Sequence, residues 1–345
     1  MIEHRKRRTF RLLLGGVLAG FCWGAGVPLH AAATPNPAEP SPLLQAQIWL
    51  DRLGISPGEI DGVAGENSTK AVAEFQRRVR RRVADGKLDW LTRRQLRRLA
   101  HAPALVVHKI TEEEAAGPFV AIPSEPAEQA KLERMGYSSL KEALGERFHA
   151  SPELLEALNP GAKFVAGESL RVPNVLPPPP PPVAAATPAT PGAQPPAQPS
   201  PSTPATQLAI AKVVVSKSAR NMKGLDAKGT TVFYAPASSG SEHDPLPLGS
   251  WKVVSVSRNP IFHYNPDLFW DAEPTQEEAK LPAGPNNPVG VGWVGLSKEH
   301  YGLHGSPSPG AIGHTESHGC VRLTNWDALR LMAGVAVGTP VEFVE

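Results

Sequence analysis

The sequence predicts a multidomain chain: a mostly-β domain at the C-terminal end, preceded by a small α-helical domain and a candidate small α+β module. Three observations carry this expectation. Prolines, 38 among 345 residues, cluster most densely in one block at residues 175–206. Before that block, apolar residues recur at helical spacing; after it, β-branched runs alternate with polar residues. The length suggests two or three domains, at roughly 100–200 residues each. A net charge of +2 with 20% charged residues gives the chain no overall polyelectrolyte character.

Residues 1–33 read as a cleavable export signal. HRKRRTFR is a basic leader, Leu12 to Val27 is apolar, and Ala31, Ala32 and Ala33 supply small residues for cleavage. The apolar run ends at Pro28 and is shorter than the roughly 18–20 residues of a membrane span. Cys22 would suit a lipid-modified leader, but Phe21 stands where a small residue is expected. Cleavage near Ala33 leaves Cys320 as the sole thiol of an exported chain. Having no internal disulfide partner, it is a candidate for reactivity. The expected location is the periplasm or cell envelope.

Residues 43–102 form the helical domain. Leu43, Leu44, Ile48 and Leu53 sit at helix spacing, and Gly54 closes the segment. The loop EIDGVAGENS follows, with Ser68 or Asn67 as cap of a second helix carrying Val72 and Phe75. A third loop and helix lie in ADGKLDWLTRRQLRRL. This arrangement, LQ…IDG…AV..FQ…DG.LD, resembles the three-helix peptidoglycan-binding domain family and departs from it in the arginine-dense RRVRRRVADG. Arg77, Arg78, Arg80, Arg81, Arg82, Arg93, Arg94, Arg97 and Arg98 make a basic surface. An exported protein rarely meets nucleic acid, so no nucleic-acid partner is expected. A solvated helix face and attraction to anionic envelope polymers remain as alternatives.

Residues 104–136 carry no readable function. The stretch SLKEALGERFHASPELLEALNPGAKFVAGESLRVPNV then gives two short helices, an Asn-Pro-Gly turn and a strand. With Asn159, Gly167 and Pro173 in fitting places, it resembles the second half of a LysM carbohydrate-binding module, assigned here to 104–174 with an insertion and a poorly matched first strand. The proline block favours extended polyproline II and reads as a partly stiff linker. Its expected role is to let anchoring and C-terminal modules sit at different places.

From Gln207 to Glu345 the segments IAKVVVS, TTVFYA, GSWKVVSVS and PVEFVE predict strands, with short helices at Gln276–Lys280 and Asn325–Ala333. Trp251, Trp270, Trp293 and Phe233 suit either the core or a substrate platform. Within this domain HGSPSPGAIGHTESHGCVRLTN (304–325) joins Cys320 to His304 and His318, with Ser317, Gly305 and Gly319 beside them. A thiolate is the nucleophilic form of cysteine, and histidine can take the thiol proton near neutrality. Glycines allow close backbone approach and offer N–H donors to an oxyanion. Burial of a lone cysteine is the plain alternative, but Ser-His-Gly-Cys is not an apolar run. Zinc held by His304, His314, His318 and Cys320 is a further alternative, although CxxC and HExxH spacings are missing.

This segment, with LPAGPNNPVGVGWVGLSKEHYGLHG before it and TNWDALRL and GTPVEFVE after it, resembles the L,D-transpeptidase catalytic domain family. The resemblance implies a β-sandwich and a cofactor- and metal-free cysteine acyltransferase acting on peptidoglycan. Cys320 would attack the carbonyl between diaminopimelate and the terminal D-alanine of a tetrapeptide stem. His304 would serve as base, then acid, oriented by the Gly305 carbonyl, with His318 ranked second as base. N–H groups near Gly319 and Cys320 would hold the oxyanion. Arg322 would pair with a substrate carboxylate, a structural salt bridge being its alternative, and Ser317 would fix the turn or contact substrate. Residues 258–272 and 282–288 would wall the cleft, with His263, Tyr264 and Asn265 as substrate contacts. The acyl acceptor stays open among a second stem, a lysine of an envelope lipoprotein, and water. A non-catalytic wall-binding protein and a zinc-dependent hydrolase are the competing classes.

Overall fold

The computed structural model describes residues 39–178, 208–270, 272–273, 275–317 and 319–345. The expected export signal, residues 179–206 of the expected linker and His318 lie outside the described residues.

Helices α1 (Pro42–Arg52), α2 (Glu66–Arg78) and α3 (Trp90–Ala100) form the first layer. Ser41 caps α1 by accepting from Leu44 N–H, and Asp89 caps α3 by accepting from Thr92 N–H. Helix α2 starts earlier than expected: Gly65 stands at its cap, so neither Asn67 nor Ser68 does. Ser68 is drawn inward instead, accepting from Gln47 Nε2 at 3.0 Å. Two glutamines pin the two Asp-Gly loops. Gln47 accepts from Gly62 N–H at 2.7 Å, and Gln76 accepts from Gly86 N–H at 2.9 Å. Each satisfies a backbone N–H at its turn, half-buried at Gly62 and buried at Gly86. The arginine run is exposed along α2 and α3, with Arg81 forked onto Asp89.

Strand β1 (Leu105–Lys109) does form, and pairs antiparallel with β2 (Ser169–Pro173) from Leu105↔Pro173 to Lys109↔Ser169. Between them lie α4 (Glu112–Ala116), α5 (Pro126–Gln129), α6 (Leu140–Phe148) and α7 (Pro152–Leu158). This βααβ unit, with α4 and α5 in an insertion ahead of α6, shares one apolar core with the three helices. Ile48, Leu50, Ile60 and Phe75 join Ile110, Leu144, Leu155 and Leu170 in it.

The C-terminal region runs through β3 (Lys212–Ser216), β4 (Asn221–Leu225), β5 (Thr231–Pro236), β6 (Ser238–Ser239), β7 (Gly249–Arg258), β8 (Phe262–Tyr264), β9 (Ala279–Leu281), β10 (Gly292–Leu296), β11 (Gly302–His304), β12 (Val321–Arg322), α8 (Asn325–Gly334) and β13 (Pro340–Val344). Among the described residues, nine strands form one sheet in the order β5-β4-β3-β13-β7-β10-β11-β12-β6. Long β7 makes the fold two-layered. Its first part, Gly249–Lys252, pairs with β13, and the remainder, Val253–Arg258, pairs with β10. A strand that changes partners along its length carries the chain from one layer to the next. The outermost strands, β5 and β6, are consecutive in sequence, so the sheet nearly closes. Valines and Phe343 from both layers fill its core, where Phe233 is fully buried.

Residues 276–280 are not helical: Ala279–Leu281 pairs with Phe262–Tyr264 as a short ribbon. Cross-strand pairing overrides the helix-favouring Gln-Glu-Glu-Ala-Lys composition.

The expectation that the linker separates the modules is corrected by their packing. Residues 40–345 form one compact unit. The chain after α1 lies along edge strand β5, with Ser56 N–H donating to Tyr234 O and Tyr234 N–H to Gly54 O. An exposed sheet edge is thereby covered. Beside it, Arg330 of α8 forks onto Asp51 of α1, both contacts at 2.9 Å and both residues buried. His149, at the end of α6, approaches Asp51 at 3.0 Å and Asp327 at 3.9 Å, while Ser56 donates to Asp327 at 2.8 Å. Burial alone would raise the Asp51 pKa, but Arg330 and His149 outweigh it and hold the carboxyl below its usual range.

Removing one partner of such a pair leaves a buried charge uncompensated, at a cost of about 3–5 kcal/mol. Arg330→Ala and Asp51→Ala are each expected to lower the unfolding free energy by that amount in urea titrations. A loss below about 1 kcal/mol would show that the packing between the two halves does not depend on this pair.

Candidate functional site

The site is built on adjacent parallel strands. Strand β11 pairs with β12 so that Leu303 faces Val321 and His304 faces Arg322. Side chains alternate along a strand, so Cys320, just ahead of β12, shares a face with Arg322 and, across the ladder, with His304. These residues line a cleft of about 500 Å³ with Trp293, Tyr301, Phe262, Leu268 and Phe269.

His304 is buried, and its Nδ1 lies 2.7 Å from the carbonyl oxygen of Gly305. A carbonyl can only accept, so Nδ1 carries the proton and Nε2 keeps a free lone pair. Trp293, paired with His304 across β10 and β11, stacks on the imidazole at 5.5 Å and 18°. Burial pushes the His304 pKa down to about 4, and the nearby Arg322 charge pushes the same way. The ring is therefore neutral at neutral pH. Cys320 is partly exposed, and its thiol donates to His300 O at 3.5 Å. Burial of the sulfur raises the thiol pKa above its ordinary value, against a smaller lowering by a backbone hydrogen bond at Gly302 and by Arg322. Burial thus favours the neutral form of both the thiol and the imidazole.

The backbone around this pair tolerates no larger residue. A Cβ on Gly305 would lie 2.2 Å from Asn325 Oδ1. Gly319 has φ +99°, and a Cβ there would lie 3.0 Å from the Tyr301 hydroxyl. Ser317 uses its hydroxyl on backbone: it accepts from Gly240 N–H and donates to Cys320 O. It thus ties the cysteine turn to the segment after β6.

Of the three expected loop contacts, His263 lines the cleft. Tyr264 donates its hydroxyl to Gln276, and Asn265 caps a short turn by accepting from Asp267 N–H. Neither is among the residues that line it. The expected wall segments 258–272 and 282–288 supply Phe262, Leu268, Phe269 and Pro288 to the lining, whereas sequence reasoning singled out neither Tyr301 nor Asp244, which also line it. Trp293 belongs to the site, whereas Trp251 packs against the β core and exposed Trp270 stacks on His243. His314, a zinc ligand in one alternative, lies 3.3 Å from Asn67 Nδ2. Among the described residues, no group of three His, Cys, Asp or Glu could hold a metal ion.

An imidazole and a thiol that line one cleft at the margin of a nearly closed sheet define a candidate cysteine acyltransferase site. Residues 211–343 match the family model of the L,D-transpeptidase catalytic domain, and residues 40–96 match that of a putative peptidoglycan binding domain. The C-terminal part of the chain is thus similar to L,D-transpeptidase catalytic domains, and its first helical part to a putative peptidoglycan binding domain. Similar curated proteins include a putative L,D-transpeptidase, YkuD, of Bacillus licheniformis, 47% identical over 57 residues, which are 16% of this chain and 34% of the relative. A probable L,D-transpeptidase, YbiS, of Escherichia coli K12 is 43% identical over 123 residues, or 34% of this chain and 40% of the relative. The match therefore spans well under half of either relative's length. Among solved structures, L,D-transpeptidase 3 from Mycobacterium tuberculosis aligns over 39% of this chain and 61% of that one, at 24% identity and a TM-score of 0.33. That likeness is too slight to bear on the site.

Two measurements check the electrostatics. In NMR titrations His304 is expected to take up its proton near pH 4, well below the usual 6.5; a midpoint near 6.5 would mean the ring is hydrated. Iodoacetamide alkylation of Cys320 is expected to accelerate through and beyond pH 9; a plateau near neutrality would reveal a stabilised thiolate. Gly305→Ala is expected to lower stability by about 1–3 kcal/mol through overpacking against Asn325, read by urea unfolding.

Proposed function

We propose that this protein is an L,D-transpeptidase of the cell envelope that acts on peptidoglycan stem peptides through a Cys320 thioester. The hydrogen bond from His304 Nδ1 to the Gly305 carbonyl carries this reading, because it leaves Nε2 as a base in the cleft that holds the thiol. Cys320 attacks the carbonyl between diaminopimelate and the terminal D-alanine as His304 takes the thiol proton. His304 then returns that proton to the departing D-alanine amine. The Gly305 carbonyl plays the orienting part that an aspartate has in other triads. N–H groups near Gly319 and Cys320 stabilise the oxyanion. Arg322 faces the substrate carboxylate, for which a planar guanidinium fork is suited. Asp244, in the same lining, supplies the opposite charge toward an ammonium. His318 stands as the second candidate base, and His263 contacts the stem.

An amine then attacks the thioester. A second stem gives a direct cross-link, a lysine of an envelope lipoprotein gives an anchored protein, and water gives carboxypeptidase activity. The order β1-α6-α7-β2 supports a LysM-like role in glycan binding for residues 104–174. The matched binding region supports peptidoglycan as the surface on which the enzyme sits.

The test uses the full chain without residues 1–33, and its Cys320→Ala counterpart, incubated with disaccharide-tetrapeptide. Intact mass is expected to show a Cys320-linked acyl adduct and free D-alanine with the unaltered protein alone. Thioester formation is expected to fall as pH drops through about 4, where His304 becomes protonated. An equal D-alanine yield from Cys320→Ala would exclude the thiol mechanism.

A further inference from the structure

Arg322 lines two cavities. One is the cleft that contains Cys320 and His304. The other, of about 440 Å³, lies between the two halves of the molecule and is lined by Ile122, Gln129, Asn286, Ser306, Ser308 and Arg322, among others. Pro288 and Arg322 border both, so the two cavities share a wall beside the reactive pair.

The outer wall of the second cavity comes from the insertion between β1 and α6, which neither matched family model covers. It is firmly docked. Met135 N–H donates to Ala283 O and Asn286 N–H donates to Met135 O, each at 3.1 Å. Asn286 Nδ2 donates to Gly136 O at 2.8 Å. Met135 is fully buried, and a Cβ on Gly284 would come within 2.1 Å of its carbonyl. The insertion thereby also holds the 282–288 loop that leads into the Cys320 cleft.

The lining has the chemistry of a peptide site. The hydroxyls of Ser306 and Ser308 and the amide oxygens of Gln129 and Asn286, whose nitrogens already donate to Pro123, Gly136 and Glu142, can bond a polyamide backbone, and Ile122 and Pro288 add apolar surface. Among the described residues the Arg322 guanidinium makes no ion pair, and its buried Nε has no hydrogen-bond partner. A guanidinium left in this state next to two cavities is poised for a carboxylate from a ligand.

We propose that this second cavity binds the acyl acceptor: a carboxylate-bearing peptide whose free amine crosses the Arg322–Pro288 wall to the thioester. The inference rests on the thioester chemistry proposed above. The acceptor nitrogen forms a bond to the acyl carbon as the carbon–sulfur bond breaks. The amine proton passes through His304 to the sulfur, which regenerates the Cys320 thiol. The insertion is then part of the substrate-binding surface, and the β domain alone carries only half of it.

The experiment fills the cavity from each wall separately, with Ile122→Trp in the insertion and Ser308→Trp in the β domain. Both positions keep solvent exposure, and neither belongs to the reactive pair. The donor is a tetrapeptide stem; the acceptor is a tripeptide stem ending in diaminopimelate, which can accept but has no D-alanine to release. Each variant is expected to form the Cys320 adduct and release D-alanine at the unaltered rate. Each should yield at least tenfold less mixed dimer at a fixed acceptor concentration, with a raised KM for acceptor and an unchanged KM for donor. Unchanged dimer yield in both variants overturns the proposal, as does a parallel fall in adduct and dimer. An unaltered protein that forms the adduct but transfers it to no peptide overturns it too. An unaltered protein that never forms the adduct removes the thioester reading itself, and this inference with it.

Discussion

The arrangement of the site depends on one buried amide, that of Asn325 at the start of α8. Its Oδ1 accepts from Val291 N–H at 3.1 Å, while its Nδ2 donates to Pro285 O at 3.1 Å and to Glu146 of α6 at 3.0 Å. The side chain lies so close to Gly290 and Gly305 that neither can carry a Cβ. It therefore fixes the strand exit that presents the Gly305 carbonyl to His304. The same amide reaches the N-terminal half through Glu146, whose pKa burial raises to about 7 against the opposing bond from Asn325. A buried polar group that loses a partner costs stability. Misplacement of α6 would leave that amide short of a partner where it packs against the Gly305 backbone.

The contact between the halves is unusual in being polar at its centre. Asp51, Arg330, His149 and Asp327 bring several ionisable groups into a buried junction, where desolvation offsets much of their mutual attraction. Such a junction adds little to net stability compared with an apolar one of the same size. It does specify geometry: the Arg330 fork, the His149 stack on Trp326 at 5.2 Å and the covered edge of β5 fit together in a single relative placement. The β domain has its own apolar core, and Tyr234, which extends from β5 into the other core, joins the two.

Much of this was legible in the sequence, and the reasons are specific. Strands β3, β5, β7 and β13 announced themselves because β-branched residues alternate there, and the Cys320 turn stood out because Ser-His-Gly-Cys is not an apolar run. The second helix was misplaced by one cap, since Ser68 bonds Gln47, a partner 21 residues away, and not its own helix. Residues 276–280 look helical until β8 is brought beside them. The insertion before α6 has no periodicity because it is held by one buried residue, Met135, and by backbone bonds that leave no compositional mark. Long-range pairing of this kind is invisible to any reading of local spacing. The linker misled for the same reason: its composition does not record that the segments on either side bury one another's charges.

That buried junction changes what a binding module would mean for an enzyme of the proposed kind. A module on a loose tether raises the local concentration of its target and lets the reactive group search a sphere around the anchor. A module bolted to the sheet works as a ruler. Under the function proposed here, a glycan strand held by the N-terminal half sets both the distance and the angle at which stems meet Cys320. Selection among stems would then follow from the spacing and rotation of the wall polymer itself, with little left to chance encounter.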